Sequence, residues 1–305
     1  MPVLRPGNLL ILESTSPVGT TRQCLELIGR LRPDLRMPGE DTDGDIDMAY
    51  SPERVLPGNA MAELVNNRRV VGGVTPRAAE RAAALFSTYV RGGCLITDDR
   101  SAEMVKLAEN IYRDVNIAFA NELSMICNGL GLDVRKIIDL ANHHPRVDIL
   151  SPGPGVGGHC IPVDPWFVIA QAPEDARLIR VAREVNEEKQ RHVVGLVRAA
   201  AAENGGRIAC FGLSYKADIN DFRESPALEI VLELSSEFPG RVVAVEPYAD
   251  SLRAREPRAE RLTLVPADIA LADADIVVML VGHSDFKAMP KPTGKTIVDT
   301  IGFWR

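Results

Sequence analysis

Three regions separate along the chain by the period at which apolar residues recur. In the first, residues 8–13 read as a buried strand, 18–31 as a helix, 47–50 and 69–71 as short strands, 76–89 as a helix and 94–97 as a strand. The middle is helical. From residue 101 to about 130 a helical period continues without proline, and Gly129 and Gly131 mark its end. A second helix is predicted over 133–141, a Pro/Gly-rich loop over 145–162 and another long helix over 174–204. Strand and helix then alternate again, with strands at 207–211, 241–245, 275–281 and 296–298 and helices at 225–235 and 267–273. That alternation implies a parallel, doubly wound sheet.

The fold class expected is therefore α/β: a partial Rossmann-like domain over residues 1–98, a central helical dimerisation region over 99–205 and a C-terminal Rossmann-like, doubly wound parallel-sheet domain over 206–305. A dinucleotide-binding domain opens with a strand, a glycine-rich turn and a helix. This chain opens with what reads as the tail of a helix feeding a later strand, so the first half of such a domain, roughly a hundred residues, is expected to be missing. A homodimer is expected too. The helix over 101–130 carries more apolar surface (Val105, Leu107, Ala108, Ile111, Val115, Ile117, Ala118, Phe119, Leu123, Ile126) than one face can hide.

Composition narrows the partners. With 46% hydrophobic and 25% charged residues over 305 positions, the chain can bury more than one core. A net charge of -7 supplies no basic footprint, so neither nucleic acid nor an anionic membrane is expected as a partner. No apolar run reaches spanning length and no signal peptide opens the chain, which points to the cytoplasm. The five cysteines are scattered with no CxxC pair, fitting neither a disulfide framework nor a zinc site, and no metal is expected.

One cysteine stands apart. The loop from Ser151 to Asp164 packs four glycines, His159, Cys160 and Asp164 into 14 positions. Gly153, Gly155 and Gly158 satisfy a GxGxxG expression, but no strand runs into it and no helix opens directly after it. The loop reads better as backbone closing over a flat or anionic ligand and presenting the Cys160 thiol to it. An inert buried thiol is the bland alternative, and the polar, glycine-rich setting argues against it. Lys106, Asn110 and Arg113 lie at i, i+4 and i+7, on one face of the long helix. A solvated polar stripe would also explain them. As a site wall, the lysine could exchange a proton and the asparagine amide could donate to an oxyanion.

The segments Glu13-Ser-Thr-Ser-Pro-Val-Gly, Ser51-Pro-Glu-Arg-Val-Leu-Pro-Gly, Lys106-Leu-Ala-Glu-Asn, Asn116 to Glu122, His144-Pro-Arg-Val, Gly157-Gly-His-Cys, Phe211-Gly-Leu-Ser-Tyr-Lys and Arg223-Glu-Ser-Pro together resemble the UDP-glucose/GDP-mannose dehydrogenase family over essentially the whole chain. The His-Pro-Arg-Val stretch, the Gly-Gly-His-Cys loop and the terminal Gly-Phe-Trp-Arg resemble its UDP-N-acetyl-D-mannosamine branch. The resemblance implies NAD-dependent four-electron oxidation of a UDP-sugar to its uronate, for cell-surface polysaccharide precursors. It implies roles residue by residue. Cys160 resembles a nucleophile that carries a thioester, Lys106 a proton donor or acceptor, Asn110 an oxyanion donor, Asp164 a group orienting the hydrolytic water and Glu53 a carboxylate assisting acid-base steps. Arg54, Val55, Arg113, His144, Arg146, Gly157, Tyr215 and Lys216 resemble substrate contacts, some of them contributed across a dimer. Thr15 and Arg223 resemble NAD contacts.

Two departures qualify this. The dinucleotide fingerprint and its later acidic residue are absent, and Ile301 stands where the branch leads one to expect a basic residue. A non-catalytic UDP-sugar-binding remnant, and a dehydrogenase for another UDP-sugar such as UDP-glucose, are the alternatives. A cysteine hydrolase using His159 and Cys160 is a weaker one, since adjacent loop residues seldom give nucleophile-base geometry.

Overall fold

The computed structural model of the protein describes residues 3–39, 42–55 and 60–304. Leu56 to Gly58 of the second family segment and the terminal Arg305 lie outside them. The strands are β1 (Leu9–Leu12), β2 (Asp47–Tyr50), β3 (Arg69–Gly73), β4 (Cys94–Asp98), β5 (Ile208–Phe211), β6 (Val242–Val245), β7 (Ile276–Met279) and β8 (Thr296–Asp299). The helices are α1 (Thr20–Leu31), α2 (Ala60–Asn66), α3 (Pro76–Phe86), α4 (Asp99–Gly129), α5 (Val134–Ala141), α6 (Asp164–Gln171), α7 (Arg177–Asn204), α8 (Pro226–Glu237), α9 (Ala249–Arg255) and α10 (Ala267–Asp273). Two compact units result: Met1–Ile111 with Phe167–Pro173, and Tyr112–Trp166 with Glu174–Arg305. The long helix α4 is divided between them at residues 111 and 112.

The first unit holds a four-stranded sheet in the order β1-β2-β3-β4. β1 and β2 are parallel, as are β3 and β4, but β2 meets β3 antiparallel, a reversal that hydrophobic period alone does not reveal. Leu25 and Ile28 of α1 pack with Ile46, Met48 and Val74 on one side, and Ala82 and Phe86 of α3 pack with Ala49 and Val71 on the other. α3 starts where it does because Thr75 caps it, accepting from Ala78 N at 3.2 Å, with Pro76 at its first turn. α2, α6 and α9 were not predicted. They are only seven or eight residues long, and α6 is apolar nearly all round, so it shows no helical period.

The second unit holds the parallel sheet β6-β5-β7-β8. β5, β6 and β7 are fully apolar because both faces are covered, whereas the edge strand β8 carries Thr296 and Asp299 and is half-buried. Ile208, Cys210, Ile276 and Val278 face Val193 and Val197 of α7 and Leu228 and Leu234 of α8. The alternate positions Ala209, Phe211, Val277 and Met279 pack with Phe286 and Trp304. Each such fully buried aliphatic side chain contributes on the order of 2 kcal/mol.

Between α4 and α7 the same unit buries a polar chain. Asp114 and Arg183, 0% and 4% exposed in their side chains, pair at 2.7 Å. Asn186 donates to Asp114 Oδ1 at 2.8 Å, Asn121 donates to Asn186 Oδ1 at 3.0 Å, and Asn121 Oδ1 accepts from Gly153 N at 3.0 Å. Removing one charge strands the other, which costs about 3–5 kcal/mol. Asp114→Ala should therefore lower stability by about 3 kcal/mol in urea denaturation, while Asp114→Leu combined with Arg183→Met recovers most of the loss. A loss in the double variant as large as in the single one would contradict this.

Candidate active site

The loop that carries Cys160 is shaped by what a side chain would strike. A Cβ on Gly157 would lie 2.6 Å from both Glu224 O and Tyr215 Cβ, so the loop backbone lies directly on the segment that follows β5. Gly158, at φ +90°, sets its α-carbon against the Tyr215 ring and donates from its amide to Arg223 O at 3.1 Å. The Cys160 carbonyl accepts from Val163 N at 3.1 Å and Asp164 N at 2.9 Å, so the turn at the cysteine opens α6. Cys160 is half-buried and Asp164 is buried at the first turn of that helix.

Charge gathers beside the thiol. The Arg223 guanidinium is exposed and held by Asp221 at 2.5 to 3.2 Å. That hydrogen bond holds the Asp221 carboxyl below its usual range and raises Arg223. A charged Cys160 lies near enough to favour the Arg223 cation further. The Tyr215 phenol is pushed up, by burial first and then by the negative charges of Asp221 and Cys160. Sulfur, phenol and guanidinium thus share one electrostatic neighbourhood.

A cavity of about 420 Å³ opens at the carboxyl ends of β5, β7 and β8, lined by Gly153, Gly155, Tyr215, Lys216, Ile301 and Phe303 among others. The connection after β5 runs to β6 on one side and that after β7 runs to β8 on the other, so the switch point, where doubly wound sheets bind ligands, lies between β5 and β7. Tyr215, Lys216 and the Gly157 loop are brought together here. Their scaffold includes two residues the sequence reading missed. Glu246 accepts from Leu213 N at 2.7 Å and Tyr248 N at 3.0 Å, and His283 accepts from Asp218 N at 3.1 Å while meeting Ser214 Oγ at 3.2 Å. Neither belongs to a dense motif, so only their burial identifies them.

The first unit places the other candidates. Lys106 is half-buried on α4, Asn110 is 7% exposed one turn on, and no carboxylate pairs with Lys106 among the described residues. Arg113, in the second unit, is exposed. Glu53 and Arg54 do not pair with each other as side chains. Glu53 accepts from the amides of Arg54 and Val55 and meets Arg69 at 3.3 Å, whereas Arg54 pairs with Glu109 at 2.5 Å. His144 and Arg146 are exposed on the loop after α5. Asp218 and Asp221 are committed to Ser284 and Arg223, and no three His, Cys, Asp or Glu side chains group as a metal site among the described residues.

A dinucleotide finds half of what it needs in these residues. Thr15 follows the carboxyl end of β1, where a doubly wound sheet receives nucleotides, and it is half-buried. The N-terminus of α1, a helix start of the kind that can hold an anion, is filled by a side chain. Glu103, 0% exposed, accepts from Gly19 N, Thr21 N and Thr21 Oγ1 at 2.5 to 2.8 Å. Thr15 thus stands at a strand end of the kind that receives a nucleotide, and Glu103 closes the helix start that follows it.

The chain belongs to the UDP-glucose/GDP-mannose dehydrogenase family, an NAD-dependent oxidoreductase family. Its NAD binding domain matches residues 1–90, its central domain 100–188 and its UDP binding domain 209–305. The chain is 52% identical to an NDP-N-acetyl-D-galactosaminuronic acid dehydrogenase of Ralstonia nicotianae, covering 99% of this chain and 72% of that one. It is 51% identical to the UDP-N-acetyl-D-mannosamine dehydrogenase of Salmonella typhi, covering 100% and 75%. Among solved structures it matches the UDP-D-ManNAc dehydrogenase of Pyrococcus horikoshii with a TM-score of 0.87 at 36% identity, over 100% of this chain and 71% of that one. No helix among the described residues is long and apolar enough to cross a membrane.

Because Gly157 has backbone on one side and the Tyr215 Cβ on the other, Gly157→Ala must displace the loop. UDP affinity should fall at least tenfold by calorimetry, about 1.4 kcal/mol, with little change in overall folding. Unchanged affinity would separate the loop from the nucleotide.

Proposed function

We propose that this protein oxidises UDP-N-acetyl-D-mannosamine to the corresponding uronate through a thioester on Cys160. The observation that carries the reading is the half-buried thiol in a glycine loop laid against Tyr215, next to the cavity at the carboxyl ends of the parallel sheet. Residues 1–98 handle NAD, 99–205 carry the sulfur chemistry and 206–305 the nucleotide. NAD, when bound, accepts one hydride at each of the two oxidations.

Lys106 moves the proton of the reacting hydroxyl, and the Asn110 amide donates to the oxygen on which charge develops. The Cys160 thiolate attacks the aldehyde carbon, and the carbonyl oxygen takes up a proton to give a thiohemiacetal. Loss of the second hydride from that carbon, with the hydroxyl proton passing back to Lys106, leaves a thioester. Water held near Asp164 adds to the acyl carbon, the C–S bond breaks and the thiolate returns. Glu53 assists the proton transfers. Arg54, Val55, Arg113, His144, Arg146, Gly157, Tyr215 and Lys216 hold the UDP-sugar, and Thr15 and Arg223 hold the cofactor. The relative named for an N-acetyl-D-galactosaminuronic acid supports a second reading of the sugar alone, with the N-acetyl-D-galactosamine nucleotide, which differs at C2 and C4, as substrate.

The working form is a cytoplasmic homodimer. No disulfide joins the five cysteines, as suits a reducing compartment. Leu107 and Ala118 of the apolar α4 surface are buried within the chain, but Tyr112, Phe119 and Ile126, seven residues apart on one stripe, are 69%, 52% and 53% exposed. A second copy would cover them, and the exposed His144 and Arg146 are then available to its site. Light scattering at micromolar concentration should give twice the chain mass, and a monomer would remove this claim.

The chemistry is tested at the sulfur. In the intact protein, two NADH should appear per UDP-N-acetyl-D-mannosamine, with UDP-N-acetyl-D-galactosamine and UDP-glucose as comparison substrates. Cys160→Ser offers a poor nucleophile and leaving group, so an ester formed after oxidation should persist. Mass spectrometry should find a UDP-uronyl adduct at position 160 in that variant and little in the wild type. Full steady-state activity in Cys160→Ala would sink the mechanism.

A further inference from the structure

A second cavity in the sheet-bearing C-terminal unit, of about 580 Å³, is lined by α4, α5, α7 and the end of β8 and takes no part in the chemistry above. Lys189 of α7 lines it at 5% exposure. Its Nζ donates to Ser124 Oγ at 2.6 Å, and the Ser124 hydroxyl proton is already spent on Asn121 O at 2.6 Å. Among the described residues no carboxylate pairs with this lysine. An ammonium has three N–H donors, so two are left for whatever fills the space.

The surroundings do not neutralise it. Arg135, His192 and Lys291 line the same cavity, and Asp133, Glu203 and Asp299 are its carboxylates. Asp133 is turned to the amides of Arg135 and Lys136 at the start of α5, and Asp299 accepts from the amides of Ile301, Gly302 and Trp304. Glu203 is exposed. Burial, with the Arg135 cation adding to it, pushes the Lys189 ammonium down to about 8, and burial with the Lys189 charge lowers His192. A buried cation without a counter-charge is held at a cost that an anion can remove.

We infer that this cavity is a binding site for a small oxyanion, a phosphate ester or a carboxylate, held by Lys189 with Arg135 and separate from the cavity beside Tyr215. Its volume suits a ligand of sugar-phosphate size. Inorganic phosphate and succinate, at matched ionic strength, are the probes that distinguish the two anion sources.

At pH 7, phosphate or succinate at roughly 10 mM should raise Tm of the full chain by about 2–4 °C. The response should vanish in Lys189→Met and persist in Lys216→Met. Lys189→Met without ligand should itself melt higher by roughly 5 °C, because the uncompensated charge is gone. The wild-type response should also fade as pH rises past about 8 to 9.5, where Lys189 loses its proton. Phosphate is a fuller anion there and Arg135 and Lys291 stay charged, so only the lysine can account for the loss. This pH arm decides the question if Lys189→Met does not fold. No stabilisation by either probe overturns the inference, as does a response kept in Lys189→Met, lost in Lys216→Met, or equal at pH 7 and 9.5.

Discussion

The candidate site depends most directly on the buried polar chain from Arg183 through Asp114, Asn186 and Asn121 to the amide of Gly153. The members are joined end to end, with Asp114 Oδ2 and Arg183 Nε left without a hydrogen-bond partner among the described residues, and the last bond ties down the start of the glycine loop. A loop of prolines and glycines has few side chains with which to pack itself. Its position must come from outside, and here it comes from two helices joined by an ion pair at one end and by Tyr215 at the other. Such a network tolerates no half measures, because an unpaired member in the interior is worse than an apolar one.

The same economy governs the first unit. Glu103 spends its carboxylate on the amides that begin α1, and Asp99 holds Arg22 beside them at 3.0 Å. A helix start that would attract phosphate is thereby made structural. The anion-binding potential of this chain lies instead in side-chain cations: Arg223 beside the thiol, Lys216 at the sheet's carboxyl edge and Lys189 within the helices. An overall charge of -7 conceals this, since net charge describes the whole surface and says little of a cavity.

How much was legible follows from what each signal depends on. Long periodic segments were read well: α4, α7 and the strands of the second sheet lie close to their predicted spans because their apolar repeats are long or continuous. The candidate residues gathered at the cavity after β5 lie in dense motifs, the glycine loop up to Cys160 and Phe211 to Lys216 above all. What escaped has no local signature. Glu246 and His283 sit singly at strand ends, 6% and 1% exposed, and their role is visible only once the loop they hold is seen. The antiparallel meeting of β2 and β3 depends on the path of the intervening residues. Arg54 offered a plausible partner next door in Glu53, and it pairs with Glu109 across 55 positions.

Three lysines show why a residue type at a plausible position does not by itself fix a role. Lys216 is exposed on the cavity wall beside Tyr215, where a long cation can follow a diphosphate at little desolvation cost. Lys106 is half-buried one turn from the buried Asn110 amide, an intermediate setting between the other two. Lys189 is almost wholly enclosed, with a hydroxyl for company and an arginine as its electrostatic neighbour. In the sequence it sits between Glu188 and Gln190 and reads as one more solvated charge on a polar helix. The difference arises because α7 turns that position toward Ser124 rather than toward solvent. Function in this chain therefore lies less in which cations it carries than in how far the packing of its helices withdraws each of them from water.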